Sequence, residues 1–151
     1  MRNEIPLPNF TGVAAGQTAT MTLASGGNLT YHKIVLAFYC TNSGNGNQAN
    51  LESYVTQVRM KINGTVQRTF SAKEIDSINA FYNRSLQTNG TSAYLEIFLS
   101  EPWRSSAAEE DVLAWGTADV QNFTIEVDIA AGVTGPTLTP DRQRPLGTQN
   151  R

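Results

Sequence analysis

Residues 54–84 read YVTQVRMKINGTVQRTFSAKEIDSINAFYNR, a β-hairpin that hands over directly to an amphipathic helix. Val58, Met60 and Ile62 alternate with Gln57, Arg59 and Lys61, the two-residue period of a strand buried on one face. Asn63-Gly64 then breaks the run. A two-residue loop there would pair Met60 with Gln67 and Val58 with Thr69, setting apolar side chains beside polar ones. A three-residue loop with Gly64 left-handed in a bulge would restore apolar pairing such as Met60 with Val66, so the expected loop is odd in length. Ser71 stands three residues before Glu74, the spacing of a capping box worth about 0.5–2 kcal/mol. Ile75, Ile78, Phe81 and Tyr82 then form an apolar stripe, expected to lie on the preceding hairpin as a lid on a sheet.

Working outward, the chain keeps to short strands separated by Gly/Asn turns. Residues 13–23 end in Ala19, Met21 and Leu23 alternating with Thr20 and Thr22, and Gly26-Gly27-Asn28 supplies a turn. Residues 30–39 carry Ile34, Val35, Leu36, Phe38 and Tyr39, too continuous for a strand wetted on one side and so expected to be covered on both faces. Residues 41–50, TNSGNGNQAN, read as a surface loop. Beyond the return through Asn89-Gly90, residues 92–99 place Ala93, Leu95, Ile97 and Leu99 on one face. Ser105 or Ser106 can cap a short helix near 106–112 whose first turn is acidic. Residues 115–119 read as a turn, and residues 122–129, NFTIEVDI, alternate cleanly with Phe123, Ile125 and Val127 facing in. The fold class is therefore all-β, an antiparallel sandwich with one or two short helices inserted between strands. Ile34, Leu36, Phe38, Val58, Met60, Leu95, Ile97, Phe123, Ile125 and Val127 are expected to form its core.

With 151 residues the chain suits one domain, which at this length buries roughly 70% of the surface its unfolded form exposes. Both ends look different from the middle. Residues 1–12 contain two prolines and no periodicity, the pattern of an extended arm, and residues 132–151 are rich in Gly, Pro, Thr and Arg, the pattern of a linker or strap. The domain proper is thus expected over residues 13–131. Ile5, Leu7 and Phe10 in the arm, with Leu138 and Leu146 in the strap, are candidate contacts to a second barrel or to neighbouring subunits.

Reactive groups are scarce. The single histidine, His32, lies in an expected strand, and no second His or Cys completes a zinc site. Cys40 closes an apolar run and reads as a buried thiol. Gly44-Asn45-Gly46 lacks the third glycine and the strand–helix context of a dinucleotide motif. Glu109, Glu110 and Asp111 have the chemistry of calcium ligands, yet the spacing of a calcium-binding loop is absent and the same acids suit a helix N-terminus. Glu96, Glu101, Glu126 and Asp128 could supply a glycosidase pair only if two of them shared a cleft at about 5–9.5 Å. Six N-x-S/T triplets fit chance in so Asn- and Thr-rich a chain. A net charge of −2 with scattered Lys and Arg offers no stripe for phosphates, and the longest apolar run, residues 34–40, falls short of the ~20 residues of a spanning helix. A structural protein and a sugar-binding module remain, the latter with Trp103, Trp115 and Tyr94 as stacking rings.

Segment order now adds a resemblance. IPLPNFTGVAAGQTATMTL followed by LTYHKI, the VRMKINGTVQRTF hairpin with its IDSINAFY helix, and LSEPWRSSAAEEDVLAWGTADVQNFTIEVDIAAGVTGPTLT resemble the N-terminal half of the major coat protein of corticovirus-type, internal-membrane bacteriophages. That family has an R-P-E-like segment and an A-L-G-T turn where this chain has Glu101-Pro102-Trp103 and Ala114-Trp115-Gly116-Thr117. The resemblance covers nearly the whole chain. It implies a jelly roll of two four-stranded sheets, no enzymatic activity and no cofactor. It also implies a place in the virion, in homotrimeric, pseudo-hexameric capsomers of an icosahedral shell over a membrane. The implied partners are neighbouring capsid and vertex proteins and the underlying membrane or its proteins, with no specific nucleic acid. Family members carry two barrels; here a second would begin near Arg144-Pro145-Leu146-Gly147.

Overall fold

The strand at the centre of the structure is β9 (Phe123–Ile129), whose buried and half-buried residues alternate without a fault. Phe123, Ile125 and Val127 are wholly buried while Thr124, Glu126 and Asp128 face out, the outcome that a period of two dictates. It pairs antiparallel with β1 (Thr18–Leu23) on one side and β4 (Val55–Ile62) on the other. β4 in turn pairs with β5 (Thr65–Phe70), completing a first sheet in the order β1-β9-β4-β5. The second sheet runs β10-β3-β7-β6, made of β10 (Thr137–Pro140), β3 (Lys33–Tyr39), β7 (Ala93–Phe98) and β6 (Gln87–Thr88). A two-stranded ladder of β2 (Thr30–Tyr31) and β8 (Trp115–Gly116) stands beside them. The helices are α1 (Gln48–Tyr54), α2 (Ala72–Phe81) and α3 (Ala107–Asp111). This computed structural model describes residues 7–25, 29–40, 48–83, 87–88, 93–101 and 103–140, with backbone alone at 48–50, 87–88, 107 and 111. The expected turns at Gly26-Gly27-Asn28 and Asn89-Gly90, and most of the expected loop before α1, lie outside the described residues.

Among the described strands, only β4–β5 and β6–β7 join neighbours within one sheet; the other connections lead from one ladder to another. That alternation is the jelly-roll pattern, and it closes the two inner faces over one core. All ten residues expected in the core are buried, none more than 3% exposed. Each such side chain contributes on the order of 1.5–3 kcal/mol from its apolar area.

The hairpin that decides the fold closes differently from the expectation. Asn63 (φ 50) and Gly64 (φ 80) are both left-handed, so the loop has two residues, the turn that matches strand twist. The register shift occurs further along, as a bulge: Lys61 pairs with Val66, Met60 with Arg68, and Gln67 is the extra residue. Met60 therefore does not meet Val66, and Val58 meets Phe70. The side chain of Asn63 explains why the tight turn is kept. Its Oδ1 accepts from the backbone N–H of Gln121 and Asn122, at 3.1 and 3.0 Å, tying the hairpin tip to the segment that enters β9.

Ser71 and Glu74 form the expected capping box, Ser71 Oγ accepting from Glu74 N–H and Glu74 Oε2 from Ser71 N–H. The face that α2 buries is a correction. Ala72, Ile75, Asp76 and Asn79 turn inward, whereas Ile78, Phe81 and Tyr82 are exposed. The helix packs on β7 and β4, bridging the sheets, and it answers a backbone carbonyl of β7 there as well as apolar surface.

Further expectations change. The run 30–39 is broken at His32, whose carbonyl accepts from the N–H groups of Leu99 and Ser100 at 2.8 and 3.0 Å, so β2 and β3 join different ladders. β3 itself alternates, with Val35, Ala37 and Tyr39 half-buried on the outer face. The loop-like stretch 41–50 ends in α1, whose Leu51 is buried. Trp115-Gly116 is strand β8, not a turn. The barrel also extends past residue 131: Val133 and Leu138 are buried and β10 pairs with β3 as an edge strand, the one place in a sheet where Pro140 costs no ladder hydrogen bond. At the other end, Phe10 is 8% exposed, Leu7 packs against the core, and Thr11 bridges to Thr20, so residues 7–12 belong to the barrel instead of forming a free arm.

Candidate assembly surface

The outer faces of the two sheets differ in chemistry. On the first sheet Arg59 lies between two carboxylates of β9, 3.0 Å from Glu126 Oε2 and 2.6 Å from Asp128 Oδ2, and Lys61 reaches Glu126 Oε1 at 2.7 Å. Thr18 Oγ1 donates to Asp128 Oδ1 at 2.6 Å. The Lys61 and Arg59 hydrogen bonds hold the Glu126 carboxyl below its ordinary range, and Arg59 with Thr18 does the same for Asp128. The same pairing pushes the Arg59 guanidinium further up. On the second sheet Val35, Ala37, Tyr39, Tyr94 and Phe98 make a half-buried, largely apolar outer face, crossed by a Lys33–Glu96 pair at 3.1 Å.

None of this assembles a reactive centre. Glu96 and Glu126 stand on outer faces of opposite sheets, each held by a cation, and Glu101 is paired with Arg104 at 2.8 Å. Glu126 and Asp128 share a face, but Arg59 lies between them and keeps both ionised, whereas a glycosidase needs one of its two carboxyls raised to act as an acid. His32 serves the chain path through its carbonyl. Cys40 is buried.

At one end of the barrel the apolar side chains come to the surface. Phe81 is 83% exposed and Val112 73%, with Ile78, Tyr82 and Leu113 also exposed. Tyr82 stacks on Trp103 with ring centroids 4.1 Å apart and planes at 12°, and Phe98 meets the edge of the same indole at 5.5 Å. Ile78, Tyr82, Phe98, Trp103 and Leu113 line an open groove between α2 and the segment that leads into and out of α3. The indole Nε1–H of Trp103 is buried there without a hydrogen-bond partner among the described residues. The helix stripe read as buried is thus half of this patch; the other half, Trp103 and Leu113, has no periodicity to announce it.

The sequence-derived candidates fall as follows. Phe10 and Leu138 are buried in this barrel's own core, and Leu7, half-buried, packs against it. Ile5 and Leu146 lie outside the described residues. Glu109 and Glu110 stand at the start of α3 beneath the Ser106 cap, the side chain of Asp111 is not among those described, and no group of three His, Cys, Asp or Glu placed to hold a metal occurs among the described residues. Of the rings proposed to stack on sugar, Trp103 is covered by Tyr82, Trp115 packs on Phe123 at 5.5 Å with Arg68 over its ring at 4.9 Å, and Tyr94 lies on the outer face of β7. They form no common platform.

A jelly roll with inter-sheet connections is an architecture that viral coat domains share. Residues 4–141 match the family described as the viral coat protein P2 N-terminal domain, and the chain belongs to that family. Among solved structures, the major capsid protein P2 from bacteriophage PM2 superposes with a TM-score of 0.71 at 21% identity, over 89% of this chain and 47% of that one. PBCV-1 VP54, fitted into a reconstruction of the virophage Sputnik, gives 0.60 at 16% identity over 90% and 40%. The PBCV-1 capsid quasi-atomic model gives 0.56 at 17% identity, also over 90% and 40%. At these identities the superpositions speak to fold, and this chain spans about half the length of the coat proteins it resembles. A sequence comparison with curated proteins finds no match.

Proposed function

We propose that this chain is the N-terminal barrel of a major capsid protein whose homotrimers form pseudo-hexagonal capsomers in the icosahedral shell of a membrane-containing phage. The observation that carries this reading is the coat-family match along residues 4–141, which coincides with the extent of the barrel from Leu7 to Pro140. A second barrel would follow residues 132–151, in keeping with the 47% of the PM2 protein that this chain spans. Neighbouring capsid and vertex proteins and the underlying membrane or its proteins are the partners; specific nucleic acid is not, for a net charge of −2 offers no phosphate-binding stripe. The protein acts without catalysis and without a cofactor, its function lying in the surfaces it offers to copies of itself. Neither the sugar-binding nor the glycosidase reading gains support from the placement of its residues.

Light scattering on the purified chain, coupled to size exclusion, tests the proposal. Trimers, or shells, are expected once the second barrel is supplied on the same chain. A two-barrel chain that stays monomeric at concentrations well above those of assembly would contradict it.

A further inference from the structure

We infer that the groove beneath Ile78 and Leu113 binds an aliphatic carboxylate, with the alkyl chain lying between the sheets and the carboxylate on Arg68. The inference does not rest on the coat reading, since it concerns a small ligand of the barrel itself.

Shape comes first. The groove has a volume of about 210 Å³ and runs inward where the two sheets part, with Phe70 of β5 lining it from the first sheet and Ile97 of β7 from the second. Ile75, Ile97 and Leu99 at its depth are core residues, whereas Ile78 and Leu113 at its mouth are 48% and 45% exposed. An apolar cavity of roughly 150 Å³ already admits a benzene ring, so this one has room for an alkyl chain.

The polar side chains of the lining decide what kind of molecule fits. Asn79 gives its amide to the Glu96 carbonyl at 2.8 Å, and Ser100 its hydroxyl to the His32 carbonyl at 3.3 Å. Glu101 is held by Arg104 through two hydrogen bonds, at 2.8 and 3.4 Å. The Trp103 N–H is itself buried, with the Tyr82 ring stacked on the indole. These groups are spent on the chain's own structure, and a peptide or a sugar would bury its many donors and acceptors against an apolar wall. A saturated chain asks for no such partners.

Arg68 is the exception. Its Cζ lies 4.9 Å from the centre of the Trp115 ring, and among the described residues no carboxylate or other hydrogen-bond acceptor meets the guanidinium. The neighbouring charges are paired: Glu101 with Arg104, and Lys33, which lies over the Phe98 ring at 5.6 Å, with Glu96. Glu109 and Glu110 stand on α3, which does not line the groove. Among the described residues of the lining, the charge left without a counter-ion is therefore that of Arg68. One carboxylate at the head of the alkyl chain answers it.

Isothermal titration calorimetry on the full chain at neutral pH tests the inference, with decanoate below its micelle concentration as the probe and decan-1-ol as its uncharged match. Decanoate is expected to bind once per chain, and octanoate about ten-fold more weakly for the loss of two buried methylenes. Arg68→Gln should weaken decanoate about ten-fold and leave decan-1-ol within about two-fold, because only the charged head meets the guanidinium. Leu113→Asp, at the exposed mouth, should weaken both. Decanoate that binds Arg68→Gln as tightly as the parent would overturn the inference, as would a parent that takes up none. Binding that weakens as protein concentration rises would also overturn it, because the groove would then belong to a second copy. Should Arg68→Gln fail to fold, the parent decides: a groove without a working cation takes decan-1-ol more tightly than ionised decanoate, the reverse of what is expected here.

Discussion

The side-chain amide of Asn79 donates to the backbone carbonyl of Glu96 at 2.8 Å. Asn79 is on α2 and 6% exposed; Glu96 is in β7, where among the described residues the two-residue strand β6 pairs with Tyr94 and Ala93 alone. The helix therefore closes the sheet with a polar side chain at a position where helix periodicity alone asks for an apolar one. Replacing it by leucine keeps the volume and removes the donor, so the Glu96 carbonyl would be buried without its partner. Asn79→Leu should cost about 1–3 kcal/mol in urea unfolding, and a change below about 0.5 kcal/mol would show that water serves this carbonyl as well.

Phe10 and Leu138, near the two ends of the described chain, are core residues of the barrel. Phe10→Ala and Leu138→Ala should each destabilise the domain by roughly 2–5 kcal/mol, as Ile125→Ala should in the centre of β9. Val66→Ala, at a position 43% exposed, should stay within about 0.5 kcal/mol. If the two terminal variants behaved like Val66→Ala, both ends would have to be read as loosely attached arms after all.

These outcomes also show what was legible from residues alone. The strands with a clean period of two, around Met21, Met60, Leu95 and Ile125, lie where the alternation puts them, because burial on one face is a local property. What failed depended on non-local partners. Thr137–Pro140 is too short and too proline-bearing to read as a strand, and only the open edge of β3 makes it one. The buried stripe of α2 is Ala72, Ile75, Asp76 and Asn79, one step around from the apolar stripe, because the helix answers a backbone carbonyl of β7. The need for a register shift beside Met60 was visible in the pairing of side chains, but its place at Gln67 was set by Asn63, whose clasp on residues 121–122 requires the tight turn. The groove at Trp103 had no local signal, since its walls come from three separate segments.

Acid should act through β9. Glu126 and Asp128 have folded-state pKa values below their ordinary ones, so their contribution to stability is complete above the unfolded values, about 4, and is lost as pH falls through the lower folded values. Stability measured by urea midpoint should be level from neutral pH down to about 5 and then fall. Arg59→Met should cost roughly 1.5–3 kcal/mol at neutral pH and flatten that acid limb; an unchanged limb would mean that other carboxyls govern it.

Calcium should not matter to the barrel. Adding millimolar calcium, or removing it with a chelator, should move the melting temperature by less than about 1 °C, since an ion bound to the folded state alone would raise it by mass action. A concentration-dependent rise abolished by Glu109→Gln/Glu110→Gln would reinstate the acidic turn of α3 as a site.

The central claim, that this chain is a coat barrel, is tested most directly by a cryo-EM reconstruction of the particle that contains it. The account predicts that the barrel of residues 7–140 fits shell density around a three-fold capsomer, beside a second barrel continuous with its C-terminal end. Shell density that accommodates no such barrel, or the chain found only inside or apart from the shell, would contradict it.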